Sequence, residues 1–267
     1  MKPSAIAIPL AALATLASLT LATGEKNAGP APIKALLVTG GCCHDYDTQK
    51  VIIQTGISER ANVDWTVVHE GGTSRDHKVS IYKNKDWAKG YDVVVHNECF
   101  GALTDDPFIE QITAAHAAGV PAVTIHCSTH SYRNAKTDEW RKLLGVSSYN
   151  HGKKHPITMT NVKKDHPVMK GFPESWTTPQ GELYNIKKIW PNTTVLAEGQ
   201  IDTPAKQACV WVNQYGSARV FGTTVGHHNE TMAEDTYLDL VARGLLWACG
   251  KLQQDGTPAP GYASPTK

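Results

Sequence analysis

Val120-Pro121-Ala122-Val123-Thr124-Ile125 is a short apolar run that leads straight into His126-Cys127-Ser128-Thr129-His130-Ser131-Tyr132-Arg133. A β-branched run of this length reads as a strand buried on both faces, the pattern of a parallel sheet. Two imidazoles, a thiol, a phenol and a guanidinium therefore leave the sheet at the C-terminal end of one strand. In open α/β sheets that edge is where ligands bind.

Working outward, residues 34–39 read as a first buried strand ended by Gly40-Gly41, and residues 48–60 as a helix. Residues 63–69 and 91–96 are two further strands. The segment 71–86 between them is polar and reads as a loop, as does 97–104. Residues 107–119 are helical, capped by Asp105 or Asp106 and stopped by Gly119. Strands alternating with helices indicate a doubly wound, mostly parallel α/β sheet flanked by helices. The second half is β-rich, with strands expected over 155–160, 183–189, 194–197, 209–214 and 219–224. Tyr215-Gly216-Ser217 joins the last two as a hairpin turn. A terminal helix over 234–248 is stopped by Gly250.

Residues 1–22 are apolar and rich in small residues, with Lys2 as their only charge, and read as a signal peptide. An uncleaved anchor is the alternative, since the run approaches the length of a span. Residues 23–33 follow as a flexible lead-in, 34–252 as one domain, and 253–267 as a Gly/Pro-rich, disordered tail. The expected location is periplasmic or secreted. Without the leader the chain is close to neutral, because Lys+Arg number 26 and Asp+Glu 25 in the whole sequence. No basic stripe is present, which argues against a nucleic-acid partner, and no later run is long enough to span a membrane. Of the six cysteines, Cys209 and Cys249 read as buried free thiols. Cys42-Cys43 could close a vicinal disulfide, but adjacent free thiols are expected.

Each strand end contributes polar residues: Cys42-Cys43-His44-Asp45-Tyr46, His96-Asn97-Glu98, His126 with His130, and Gly226-His227-His228-Asn229-Glu230. If the strands are parallel neighbours, these segments share one rim. Gly40-Gly41 opens no G-x-G-x-x-G fingerprint and no phosphate loop, so no nucleotide cofactor is expected. His44, His126, His130 and His227 are the candidate metal ligands, with Glu98 able to complete a nitrogen/oxygen set suited to Zn²⁺ or a similar divalent ion. His126, His130, Glu98 and Glu182 are the candidate acid/base residues. Tyr132, Arg133, Asp45, Tyr184 and Trp176 are the candidate substrate contacts, Trp176 by stacking on a sugar ring. A covalent reading would use Cys127 with His228 and Glu230. Ile125 and Thr129 are β-branched and poorly suited to the small-residue turn that a strained nucleophile needs.

Taken together, Gly40-Gly41-Cys42-Cys43-His44-Asp45, His126-Cys127 with His130-Ser131-Tyr132-Arg133, Glu182-Leu183-Tyr184, and Gly226-His227 resemble the ThuA-like family, named for trehalose utilisation. That family lies in the class I glutamine amidotransferase-like superfamily of flavodoxin-like folds. The likeness runs over residues 34–252. It implies a sheet flanked by helices, no working amidotransferase triad in most members, and a role in catabolism of disaccharides or glycosides, including oxidised (keto) forms. His228 follows the Gly-His pair as an additional imidazole, which leaves open whether His227 or His228 faces the site. Three functions remain: an exported carbohydrate-processing enzyme, a sugar-binding accessory protein using the same cleft without turnover, and a cysteine hydrolase. The partner in the first two is a small sugar, and the sequence says nothing of oligomeric state.

Overall fold

The computed structural model describes residues 1, 4, 29–201 and 205–265. The expected leader therefore lies almost entirely outside the described residues. Five parallel strands form one half of a nine-stranded sheet: β1 (Ile33–Gly41), β2 (Val63–His69), β3 (Val93–Cys99), β4 (Ala122–Ile125) and β11 (Ala218–Thr223). Their spatial order is β2-β1-β3-β4-β11. Four antiparallel strands extend the sheet beyond β11: β10 (Gln207–Tyr215), β9 (Thr193–Gln200), β6 (Thr158–Asn161) and β7 (Ser175–Thr177). A separate antiparallel pair, β5 (Val146–Lys154) and β8 (Glu182–Ile189), stands beside it.

The alternation of side chains across β1 explains the two cores. Ala35 and Leu37 join Ile53 and Ile57 of α1 (Tyr46–Ser58) and Val241 and Leu245 of α5 (Asp235–Ala248). Leu36 and Val38 point the other way, into Ile109 and Ile112 of α2 (Asp106–Ala117) and Leu143 of α3 (Glu139–Leu144). Both faces of the parallel half are thus covered, which is why its strands are continuous apolar runs rather than alternating ones. Asp105 caps α2 by accepting from Phe108 N–H at 3.1 Å. No helix among the described residues is long and apolar enough to cross a membrane.

Three differences from the sequence reading matter. β3 runs on to Cys99, so Asn97 and Glu98 lie, with His96, within a fully buried strand and not in a loop after it. β5 and α3, neither of which carries a strong periodic signal, fill the segment before β6. Residues 253–265 are not a disordered tail. Leu252 bridges to Pro258, Ala263 pairs with Ala61, and Asn62 N–H donates to the Tyr262 carbonyl at 2.9 Å.

The order β2-β1-β3 places a topological switch between β1 and β3. The chain moves to one side of β1 for β2 and returns to the other side for β3. The loop after β1 therefore opens a crevice at the C-terminal edge of the strands. Gly40 and Gly41 (φ +128° and +94°) make that exit. A Cβ on Gly41 would strike the Cys99 carbonyl, so only glycine lets β1 and β3 end this close together.

Candidate functional site

Three imidazoles from three strand ends meet in that crevice. His44 follows β1, His126 follows β4, and His227 follows β11, and each offers a ring nitrogen within 4.8 Å of the others. The His44 ring stands edge-on to His126 and His227, at centroid separations of 4.8 and 4.6 Å. Glu182, the first residue of β8, lies beside them and is 4% exposed. Its Oε2 is 3.0 Å from His227 Nδ1 and 3.6 Å from both His126 Nε2 and the His151 Nε2 of β5. The 3.0 Å approach lacks the angle of a hydrogen bond, since His227 Nδ1 is buried without a hydrogen-bond partner.

The His126 ring and the loop that carries His227 are held by hydrogen bonds, whereas the His44 ring makes none. His126 Nδ1–H donates to the Thr224 carbonyl at 2.6 Å, so its Nε2 lone pair faces the crevice, where the Tyr184 hydroxyl lies 3.3 Å away. Gln49 of α1 spans from Asn97 to the loop carrying His227. It accepts from Asn97 Nδ2 at 3.3 Å and donates to the Gly226 and His227 carbonyls at 3.3 and 3.2 Å. Both nitrogens of His44 are buried and unpartnered. Such orphaned nitrogens carry a desolvation cost unless a further group satisfies them.

The electrostatics favour neutral rings at His44, His126 and His130 and an ionised carboxylate at Glu182. Burial, then the neighbouring His126 and His227, push His44 down to about 2. Burial likewise lowers His126, against the upward pull of Glu182, and takes His130 down to about 3. Burial alone would raise Glu182, but His126 and His227 outweigh it and hold its carboxyl well below the usual range. Neutral imidazoles beside a carboxylate are the protonation state that a divalent cation requires of its ligands. Zn²⁺ and similar borderline ions suit this nitrogen/oxygen set.

A stacked platform forms the next wall. The rings of His130 and Tyr184 lie parallel, 3.9 Å apart, and His151 continues the stack at 5.7 Å from Tyr184. His130 Nε2–H donates to Ser148 Oγ at 2.9 Å. Arg133 sits at the mouth, its Nη1 donating to the Tyr149 carbonyl at 2.9 Å. Arg75, whose guanidinium has no partner among the described residues, lines the same cavity of 100 Å³. On the far side of His44 and His227 an open recess of 490 Å³ is lined by Asp45, His228, Asn229 and Glu230. Asp45 caps α1 by accepting from Thr48 N–H and also accepts from Asn229 Nδ2 at 2.8 Å.

The sequence placed His44, His126, His227, Glu182, Tyr184 and Arg133 on one rim, and the structure brings them together, with Asp45 in the adjoining recess. His227 faces the imidazole cluster, and His228 faces the recess. Four expectations are corrected. His130 is directed to Ser148 and Tyr184 and is not part of the imidazole trio. Glu98 is not on the rim: it points into the opposite core, where its Oε1 accepts from the Tyr82 hydroxyl at 3.1 Å and lies 2.9 Å from His96 Nδ1. Tyr132 is fully buried against Trp140. Trp176 belongs to β7, at the far edge of the sheet, and packs near Phe172.

The cysteines also differ from expectation. Cys42 is bonded to Cys43, and Cys99 to Cys127, while Cys209 is free and buried and Cys249 free and half-buried. The positive φ of Cys43 (+86°) folds the adjacent side chains toward each other. The strained residue at the strand-to-helix turn after β4 is His126 (φ +44°), one position before Cys127. His151 and Arg75 were missed. Arg75 comes from a segment read as a loop, and no local pattern marks either residue.

The family model described as ThuA, trehalose utilisation, matches residues 34–248 of the chain. No curated protein matches it in sequence. Among solved structures, a ThuA-like protein of Parabacteroides merdae superposes with a TM-score of 0.70 at 22% identity, covering 87% of this chain and 97% of its own. A ThuA-like protein of Bacteroides uniformis gives 0.65 at 17% identity, over 88% and 98%. At these identities the likeness carries the fold.

Proposed function

From the premise that this chain belongs to the ThuA, trehalose-utilisation family, we propose that it is a carbohydrate-processing enzyme whose His44, His126 and His227 hold a divalent cation. The observation that carries this reading is the convergence of three imidazoles from separate strand ends, with the His44 nitrogens and His227 Nδ1 left without hydrogen-bond partners. A bound divalent ion supplies Lewis acidity toward a carbonyl or a bound water.

The chain's own residues divide the remaining work. Thr224 fixes the tautomer of His126, and the Asn97–Gln49 pair fixes the loop of His227, as outer partners of metal ligands do. Glu182 stays anionic and holds positive charge in the crevice. Tyr184 keeps its proton, because burial and then Glu182 raise its pKa well above the ordinary value, so its hydroxyl is a donor at the reacting end of a sugar. The buried His130–Tyr184 stack backs the exposed His151 ring, which gives a sugar ring a flat face, and Arg133 and Arg75 offer guanidinium donors at the mouth. The narrow cavity fits the reacting group of a substrate, and the open recess beyond His227 fits a second ring. Disaccharides and glycosides, including keto forms, are therefore the proposed substrates.

Against the cysteine-hydrolase alternative, the Cys127 sulfur is bonded to Cys99 in the oxidised chain and is no nucleophile in that form. The accessory-protein alternative uses the same platform without turnover. Elemental analysis of purified protein, followed by calorimetry and product analysis with trehalose and keto-glycosides, tests the choice. Stoichiometric metal with turnover supports the enzyme. Binding without turnover supports the accessory protein. Protein that takes up no divalent ion overturns the metal reading. We also propose export to the periplasm or medium, on the apolar composition of residues 1–22; recovery of the full chain in the cytosolic fraction would contradict it.

A further inference from the structure

The crevice floor holds a second set of ligand groups that overlaps the imidazole trio only at His44. Cys42, Cys43 and Cys99 offer sulfurs within 4.8 Å of one another, and so, as a second group, do His44, Cys99 and Cys127. Cys99 belongs to both groups, and His44 belongs to the imidazole trio as well. We propose that, once its disulfides are reduced, this cluster is a thiolate-rich site for a soft metal ion, with Cys42, Cys99, Cys127 and His44 as ligands.

Geometry supports the assignment. Two thiolates on a tetrahedral Zn²⁺ with Zn–S near 2.3 Å stand about 3.8 Å apart. Cys42 Sγ and Cys99 Sγ are 3.9 Å apart, although no bond joins them. Loops after β1 and β4 and the end of β3 supply these residues, so the backbone that positions them is the sheet edge itself. A set of three thiolates and one imidazole selects Zn²⁺, Cd²⁺ or Cu⁺ over the harder divalent ions.

The reduction has a defined entrance. Cys43 is exposed, whereas Cys42, Cys99 and Cys127 are buried. A thiolate of an external dithiol attacks Cys43 Sγ, breaking the Cys42–Cys43 bond and releasing the Cys42 thiolate. Cys42 then attacks Cys99 Sγ, forming a Cys42–Cys99 bond and releasing the Cys127 thiolate. The second thiol of the dithiol clears Cys43 and leaves as part of an oxidised reductant. The Cys43 thiolate then attacks Cys42 Sγ, re-forming Cys42–Cys43 and releasing the Cys99 thiolate, and a second dithiol reduces this bond at the exposed Cys43 as the first did. Two disulfides thus become four thiols at the expense of two dithiols, which are oxidised to disulfides. In an oxidising compartment the bonded form is the resting one.

The sulfur site stands on its own residues. Only its competition with the imidazole trio for His44 rests on the metal reading above. The probe is Cd²⁺, titrated into metal-free full-length protein with and without prior treatment by dithiothreitol and anaerobic desalting. Thiolate-to-cadmium charge transfer is read in the near ultraviolet. A band in the reduced protein, absent from the oxidised protein, lost in Cys99→Ser and kept in Cys209→Ser, is the expected result. No band after complete reduction, or a band undiminished in Cys99→Ser, overturns the proposal. Should Cys99→Ser fail to fold, protection of Cys99 and Cys127 from iodoacetamide by Cd²⁺ in the reduced wild type replaces it, and unprotected thiols refute the site. Zn²⁺ uptake by the oxidised protein is measured in parallel. Failure there with the cadmium band present removes the imidazole reading and leaves the sulfur site supported.

Discussion

Replacing Glu182 by Gln removes one charge from the crevice and almost no volume. One oxygen of this buried carboxylate lies 3.0 Å from His227 Nδ1 and 3.6 Å from His126 Nε2. Losing such an outer partner of metal ligands lowers metal affinity about 10–100-fold, which is ~1.4–2.8 kcal/mol. Competition of the protein with a chromophoric chelator for Zn²⁺ at neutral pH measures this directly. A second readout separates charge from shape. The carboxyl of Glu182 is held below its ordinary value of 4.5 in the folded chain. Its linked stability is therefore complete above that value and is lost as pH falls toward the folded pKa. Metal-free wild type should melt above Glu182→Gln at neutral pH, and the two should converge in acid. Unchanged Zn²⁺ affinity, or a melting difference that persists undiminished at low pH, would refute the reasoning.

Three further outcomes follow from the opposite core and the sheet. Glu98→Ala removes the acceptor shared by His96 and the Tyr82 hydroxyl in a fully buried site, leaving those two only each other at 3.2 Å, and should cost about 1–3 kcal/mol in urea unfolding, whereas Glu98→Gln, which keeps the acceptor, should retain most of the stability. His116 is fully buried and pushed down to about 3, by burial first and then by His96. The unfolded chain therefore binds a proton below 6.5 that the folded chain refuses. Stability should fall on acidification, by about 1.4 kcal/mol per pH unit for this group, and His116→Gln should flatten the slope of stability against pH. Gly222→Ala drives a Cβ into the Trp211 indole and should cost roughly 1–3 kcal/mol by overpacking; a variant with wild-type urea midpoint would show that the indole moves freely.

The sheet was legible because its parallel strands are β-branched runs punctuated by glycine, and buried parallel strands need little else. Part of the site was legible for the same reason. Parallel neighbours end on one edge, so His44, His126 and His227 had to approach one another if the strands were adjacent. Glu98 and Tyr132 were misplaced because their direction depends on how far β3 extends and on the left-handed turn at Tyr132 (φ +56°). Neither is a property of composition or periodicity. His151 and Arg75 reach the cavity through pairing of β5 with β8 and through a long loop, contacts that no local pattern announces. The Cys99–Cys127 pairing depended on β3 and β4 being neighbours, which is a fact of strand order. The family likeness carried the fold well and was silent on the sulfurs.

The C-terminal segment carries a consequence for how the molecule is made. The Asn62 side chain donates to the Gly261 carbonyl across 199 residues, and Ser264 Oγ donates to the Ser58 carbonyl at 2.7 Å across 206. The β1–β2 pair can form as soon as residue 69 emerges from the ribosome, but its fastening arrives only with the last residues. At roughly 5–20 residues per second, that interval is about 10–40 s. For that time the nascent chain carries an unfastened entrance to its first parallel pair, and a chain terminated before residue 261 would keep every residue of the crevice while losing the clasp at the opposite end.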